Sequence, residues 1–406
     1  MPFTPHARMT ARRHVMHLAP TPFFADRGCH IRIEGIVRCL DKLGFDSTVC
    51  TYHHGREVPT VVTRRIKPIK QYTQTEAGPS KYKLWADWKL LWLGLKTYRS
   101  LRPQVIHAHL HEGLMIGFII KLFFFWRHTP LIADMQGSLY GELESHGTFV
   151  KRPLLRAPVK LIERILMWCA DHIVCSSVHS YQKIRQEFNV PEHKITLVQD
   201  GANTPAKLDT TQRAALIANW NLPANKTLAV YSGALLEAKG LDNLSTLILQ
   251  TQDISTLHFL IIGYPTEKLQ QFLDKHALSD RCTLTGQVPF ETLPELLQLA
   301  DIAIDPKSAD AGEGSGKMLN YLANRLPVLA FNTQNNRDFL PPSNPLADSI
   351  TALIEQLRAH CYQVEGLSTI GEVNFKHFVD HYSWSVTEAQ LGTAYRRYFS
   401  EITSTV

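Results

Sequence analysis

Short β-branched runs alternate along the chain with longer segments whose apolar positions recur every three or four residues. That alternation predicts parallel sheets covered by helices. In the first half the runs His14–Ala19, Ser47–Tyr52, Val105–His109, Leu131–Asp134, His172–Ser176 and Ile195–Val198 read as strands. Between them Ile31–Leu43, Lys83–Leu101, Gly113–Trp126, Leu155–Ala170 and Ser180–Glu187 read as helices. After a polar stretch, Asp200–Thr211, the alternation resumes. Strands are expected at Thr227–Ser232, His258–Ile262, Cys282–Thr285, Ile302–Asp305 and Val328–Phe331, with helices at Leu241–Gln250, Glu267–His276, Glu291–Leu299 and Lys317–Asn324. From Asn374 onward the chain is aromatic-rich and helical by period. The pattern is that of an α/β protein with two Rossmann-like domains, residues 1–204 and 205–384, joined through the polar stretch. In such open sheets ligands bind beyond the carboxyl ends of the strands, so the loops there are the ones to search.

Composition narrows the class. With 406 residues, 44% hydrophobic and 20% charged, the chain is neither disordered nor fibrous. A net charge of +6 is too weak to argue for nucleic acid, and it suits phosphorylated ligands or an anionic membrane surface. Seven scattered cysteines without a C-x-x-C pair form neither a zinc cluster nor a disulfide framework, which points to a reducing compartment. The apolar stretch Gly113–Trp126 is too short to span a membrane, and Val15–Pro20 is too short for a secretory core. A cytoplasmic protein is expected, able to contact the inner face of a membrane.

Two loops carry candidate chemistry. In Tyr231-Ser-Gly233-Ala-Leu-Leu-Glu-Ala-Lys239-Gly240, Gly233 permits close backbone approach and Lys239 sits where the next helix begins. A helix start beside an ammonium can hold a diphosphate; the alternative is an ordinary turn with a solvated lysine. The second loop, Glu313-Gly314-Ser315-Gly316-Lys317, opens a helix that contains Asn320 and ends before Pro327. Its amides can bind phosphate, and Glu313 or Asn320 can bond sugar or ribose hydroxyls; the alternative is a capped helix with solvated polar residues.

These blocks, in this order, resemble the donor-binding half of the GT-B glycosyltransferases, specifically the large retaining group 1 family often called family four. The match is Gly233…Lys239-Gly240, then Glu313…Asn320…Pro327-Val328, with Ile261-Ile-Gly263 and Leu284-Thr-Gly-Gln-Val288 between them. The first half is similar too, through Pro20…Asp26-Arg-Gly28, Val105-Ile-His107-Ala-His109, Ala170-Asp171…Cys175-Ser-Ser177 and Asp200-Gly201-Ala202. The likeness runs from about residue 14 to 400. It implies an N-terminal acceptor domain, a C-terminal donor domain and a last helix, within about 385–406, that packs back on the first.

The resemblance implies a glycosyltransferase of hexosyl type using a nucleotide-diphosphate sugar as substrate, without a further cofactor. The acceptor would be a glycan, a lipid-linked glycan or a small molecule, as in cell-envelope polysaccharide assembly. Transfer with retention would proceed by front-face attack, the leaving diphosphate taking the acceptor's proton, with Lys239 and the Gly314–Lys317 helix start stabilising the developing charge. His109 would line the sugar site together with Glu313, and His107 would support it; Gly28, Asp134, Gly137 and Ser138 would face the acceptor. No metal is demanded, since no Asp-x-Asp pair lies near these loops. Three positions depart from the family: Ala234 stands in place of an Arg, Asn320 in place of a Glu, and Glu313 matches the first Glu only with a loop shorter by one residue. A non-catalytic nucleotide-sugar-binding protein and a sugar-nucleotide epimerase stay open as alternatives.

Trp85, Trp88 and Trp92 recur at helical spacing among Lys81, Lys83 and Lys89. Interfacial helices mix Trp and Lys in this way, but a stripe facing the sheet gives the same pattern and is the reading preferred from sequence.

Overall fold

The computed structural model describes residues 12–25, 28–73, 82–145, 148–308, 316–362 and 366–399. By its contacts the chain divides into Met1–Gln199 with Thr387–Val406 (unit 1) and Asp200–Val386 (unit 2).

Unit 1 carries β1 (Arg13–Ala19), α1 (Gly28–Lys42), β2 (Phe45–Thr51), β3 (Thr63–Arg65), α2 (Lys83–Leu101), β4 (Val105–His109), α3 (Leu110–Phe123) and β5 (Leu131–Met135). It continues with α4 (Leu139–Ser145), α5 (Thr148–Lys151), α6 (Arg156–Cys169), β6 (His172–Cys175), α7 (Val178–Glu187) and β7 (Ile195–Leu197). Its seven parallel strands lie in the order β3-β2-β1-β4-β5-β6-β7, which reverses between β1 and β4. Alternation along each strand separates two faces. Met16, Leu18, Ile106, Ala108, Leu131 and Ala133 share one core with Leu90 and Tyr98 of α2, Leu114 and Ile120 of α3, and Met167 of α6. Those three helices therefore form one layer. Ala19 and Val49 pack with Ile33 and Val37 of α1 on the opposite face. Helix α2 ends where Arg102 turns left-handed, with Pro103 next.

Unit 2 carries α8 (Thr210–Asn219), β8 (Thr227–Ser232), α9 (Leu241–Gln250), β9 (Leu257–Ile262), α10 (Glu267–Lys275), β10 (Cys282–Gly286), α11 (Leu293–Leu297) and β11 (Ile302–Asp305). Then follow α12 (Gly316–Ala323), β12 (Val328–Phe331), α13 (Gln334–Phe339), β13 (Leu346–Ala347), α14 (Ile350–Tyr362) and α15 (Leu367–Tyr382). Its six-stranded sheet, β10-β9-β8-β11-β12-β13, is parallel and reverses between β8 and β11. The polar stretch ends where Asp209 and Gln212 cap α8 reciprocally.

The last helix, α16 (Trp384–Arg396), belongs with unit 1 from Thr387 onward. There Tyr395 is fully buried and its ring lies 5.2 Å from Phe45. Among the described residues no helix is long and apolar enough to cross a membrane.

Candidate functional site at the two switch points

A parallel sheet leaves a crevice where its strand order reverses, because the loops on either side run to opposite faces. In unit 2 that point lies between β8 and β11, and both candidate loops leave from it. Beyond β8 the chain turns at Gly233, whose φ of 141° is costly for any side chain. Its carbonyl presses on Gly263, where an added Cβ would sit 1.8 Å from the Gly233 oxygen. Gly233 N–H donates to Ile262 O and Leu235 N–H to Tyr264 O, so the turn is pinned to the end of β9.

Lys239 closes a short 3-10 turn and is half-buried. Gly240 follows with φ 90°, and a Cβ there would lie 2.4 Å from Pro306 O. Asn243 Nδ2 donates to Pro306 O (2.9 Å) and to Ser308 Oγ (3.3 Å). The lysine-bearing turn is thus fastened to the chain leaving β11. Glu313, Gly314 and Ser315 lie outside the described residues.

Helix α12 is tied to the same place. Tyr321 OH accepts the Ser232 N–H (2.7 Å), and Asn320 Nδ2 donates to Gly316 O (3.0 Å). Lys317, expected to face phosphate, is held inside the protein. Its Nζ lies 2.5 Å from Asp305 Oδ1 and 4.9 Å from the centre of the Tyr231 ring. Asp305 is the last residue of β11, so the strand's own carboxylate takes up the charge that the sequence offers to a ligand.

In unit 1 the switch point holds a buried polar cluster. Register sets His17 of β1 beside His107 of β4, and His109 beside Asp134 of β5. All four project to the α1 face and are fully buried. The rings of His17, His107 and His109 stack, with centroids 4.8 to 5.3 Å apart. Asp134 accepts from Arg32 Nε (2.9 Å) and Nη2 (2.6 Å) through Oδ1, and from His109 Nδ1 (2.8 Å) through Oδ2. The chain of contacts continues inward: His109 Nε2 lies 3.0 Å from His17 Nδ1, and His17 Nε2 lies 3.2 Å from Ser47 Oγ. His107 Nδ1 meets Tyr395 OH of α16 at 2.7 Å, while its Nε2 has no partner among the described residues.

Burial holds His17 and His107 neutral, their pKa values well below the usual 6.5, with the neighbouring histidines pushing the same way. Asp134 is desolvated too, but Arg32 and His109 outweigh that and keep it ionised far below the usual carboxylate range. The ligand atoms of His107, His109 and Asp134 lie within 4.8 Å of one another, close enough for a metal ion. Arg32 already supplies the positive charge that Asp134 demands. His109, expected to line a sugar site, is closed on both ring nitrogens, and a sugar contact at this ring requires one of those bonds to open.

The remaining acceptor-side residues are spread around these strand ends. Gly28 is exposed at the start of α1. Gly137 and Ser138 follow β5 and are half-buried. Ser138 Oγ donates to Glu163 of α6 (3.2 Å), which also accepts the amides of Leu139 and Tyr140 and lies 3.3 Å from His111. One carboxylate thereby organises the loop after β5. His17, Arg32 and Glu163 were missed by sequence reasoning. The available signal was a charged residue on an otherwise apolar helical face, Arg32 among Ile31, Ile33 and Ile36 and Glu163 before Met167.

Comparison with known proteins gives concordant matches. The model of the glycosyl transferase 4-like domain matches residues 27–201, and that of the glycosyl transferases group 1 matches residues 212–344. The chain resembles the alpha-D-kanosaminyltransferase of Streptomyces kanamyceticus, at 22% identity over 254 residues. The match takes in 61% of this chain and 64% of that protein, so it spans less than two thirds of the relative's length. Among solved structures it is similar to the sucrose-phosphate synthase of Thermosynechococcus elongatus, with a TM-score of 0.79 at 16% identity over 96% of this chain and 100% of that one. It is also similar to HepE of Anabaena in complex with UDP and glucose, with a TM-score of 0.74 at 13% identity over 95% and 100%. At these identities the structural likeness is one of fold.

Proposed function

Since the chain belongs to the group 1 glycosyltransferases of the GT-B fold, we propose that it moves a sugar from a nucleotide-diphosphate sugar to an acceptor hydroxyl with retention at the anomeric carbon. The bond from the anomeric carbon to the diphosphate oxygen breaks, the acceptor oxygen bonds to the same face, and its proton passes to the leaving diphosphate. In this reading unit 2 holds the donor. The observation that carries it is the fastening of the Lys239-Gly240 turn to Pro306, with both loops leaving neighbouring strands at the switch point.

Lys239 meets the diphosphate, where its ammonium offsets charge developing on the leaving oxygen. Gly233 lets the backbone approach, and the amides at Gly316 open α12 toward phosphate. Asn320, its Nδ2 given to Gly316, offers Oδ1 to a ribose hydroxyl. Glu313, Gly314 and Ser315 complete the site in this proposal by resemblance. Unit 1 takes the acceptor near Gly28, Gly137 and Ser138, with the buried His109–Asp134 pair shaping the floor. HepE was solved with UDP-glucose as well as with UDP, and a uridine diphosphate donor is the first to test here. A lipid-linked glycan is the acceptor class we favour, with the chain working at the anionic inner face of a membrane.

A thermal-shift screen of nucleoside diphosphates and nucleotide sugars, followed by proton NMR of the product's anomeric centre, tests the reading. Lys239→Ala should cut donor turnover by ~100-fold or more at an unchanged melting temperature; wild-type turnover would remove the phosphate assignment. One observation favours a non-catalytic binder: Lys317 is spent on Asp305 while Ala234 stands where the family has an Arg. Tight nucleotide binding without turnover of any acceptor would select it. The epimerase alternative needs a histidine and carboxylate that face the sugar, whereas His109 and Asp134 face each other.

A further inference from the structure

The layer formed by α2, α3 and α6 shows an apolar outer surface. Trp85, Trp88 and Trp92 are each half or more exposed, which corrects the expectation that they face the sheet; Ala86, Leu90 and Leu91 do so instead. Helix α3 contacts both α2 and α6. At its end Leu122 and Phe123, and just beyond it Phe125 and Trp126, are exposed. Helix α6 is apolar on two sides. It buries only Glu163 and Met167, and it exposes Leu161, Ile162, Ile165 and Trp168. Leu154, just before it, is 89% exposed. A cavity of about 540 Å³ joins the outer sides of α3 and α6, lined by Phe118, Leu161, Ile165 and Trp168 with Lys121 and Arg164. Scattered exposed apolar residues need no explanation, but this many on one helical layer mark a docking surface.

Charge identifies what docks. Residues 82–101, 110–128 and 152–171 contain ten Lys and Arg and four carboxylates. All four carboxylates are engaged within the protein. Asp87 accepts from Tyr52 OH, Glu112 pairs with Lys83, Glu163 holds the loop after β5, and Asp171 pairs with Lys121. Arg152, Arg156, Lys160 and Arg164 follow one another at four-residue intervals, all exposed, along the flank of the apolar side of α6. A second copy of the chain laid face to face would bring like charges together. An anionic lipid surface complements both components, taking the apolar side chains below its headgroups and the ammonium and guanidinium groups against its phosphates.

We propose that the outer face of the α2–α3–α6 layer docks on an anionic lipid bilayer, with Leu154, Leu161, Ile165 and Trp168 entering the acyl boundary and the basic ladder of α6 lying on the phosphates. This deepens the membrane part of the reading above, but it rests on unit 1's surface and not on the donor loops. The full chain is to be sedimented with phosphatidylcholine vesicles with and without phosphatidylglycerol, over a range of salt. It should pellet with the anionic vesicles, be released as salt rises, and stay in solution with the neutral ones.

Two triple variants separate the contributions: L161S/I165S/W168S removes apolar contact and R156Q/K160Q/R164Q removes charge. Each should lower partitioning by about two orders of magnitude, the second with a flattened salt response. Both should keep the wild-type melting temperature and nucleotide-induced thermal shift, so that loss of vesicle binding and loss of donor binding are read separately. Wild-type protein left in the supernatant, or variants that bind as wild type does, would overturn the proposal. So would a lipid-free dimer in sedimentation equilibrium that L161S/I165S/W168S dissociates.

Discussion

Arg32 is a fully buried guanidinium whose partners include Asp134 and the Val198 carbonyl. A buried ion pair adds little net stability when intact, but removing one member strands the other charge. Asp134→Asn should therefore cost about 3–5 kcal/mol in urea denaturation, and a loss under 1 kcal/mol would show that Arg32 reaches water. Sequence made half of this cluster legible. The H-x-H spacing placed His107 and His109 on one face of a strand, as found. Their neighbour His17 belongs to a strand some ninety positions earlier, and only the β1–β4 register brings it alongside. Lys317 shows the converse limit. Its place at a helix start suggested a free cation, and the carboxylate that claims it comes from the preceding strand.

Among elements, the regular strands and long helices were readable because each buries a periodic face. Two helices went unplaced all the same, α8 and the 13-residue α14 with its buried Leu353, Ile354, Leu357 and Cys361; the other pieces that escaped are short or polar: β3 reads Thr-Arg-Arg, β13 has two residues, and α4 and α5 lie in a loop organised by Glu163. Those short pieces form through tertiary contacts and carry no period of their own. The glycines at the two candidate loops have the same character, since sequence shows that Gly is present and not what it touches. Gly240→Ala should cost about 2 kcal/mol or more, from its positive φ and the crowding on Pro306. Nucleotide affinity should fall with it, because the loop after β11 loses its seat. Paired urea denaturation and thermal-shift titrations would show this, and an Ala variant with native stability and affinity would mean that the two loops are not fastened.

For the molecule as a whole, acid sensitivity follows from its buried histidines. His17 and His107 titrate well below 6.5, and His172 and His258 are lowered to about 4, in each case chiefly by burial. Between pH 6.5 and 4 the unfolded chain binds protons that the native state refuses, so stability falls as pH falls through that window. Asp87 works the other way. Burial raises it to about 6, so between 6 and its ordinary 3.8 the native state binds the extra proton and gains from acid. Below 3.8 Asp134 adds a further loss, because its native pKa is depressed. The histidines outnumber Asp87, so the melting temperature should drop from pH 7 to 4, and H172Q/H258Q should flatten the curve. A melting temperature independent of pH would contradict their neutral burial. The overall charge of +6 suited an anionic surface but did not locate the basic layer, because net charge sums over surfaces that lie apart.

The chain's return through α16 has a consequence for biogenesis. Unit 2 is contiguous, so all its strands and helices have been synthesised before Thr387 is added. Unit 1 begins first but lacks Tyr395, the side chain that covers His107 and Phe45. The domain synthesised earliest must wait, with an unfinished interior, while the later one matures, and this order would suit transient chaperone guarding of the N-terminal half.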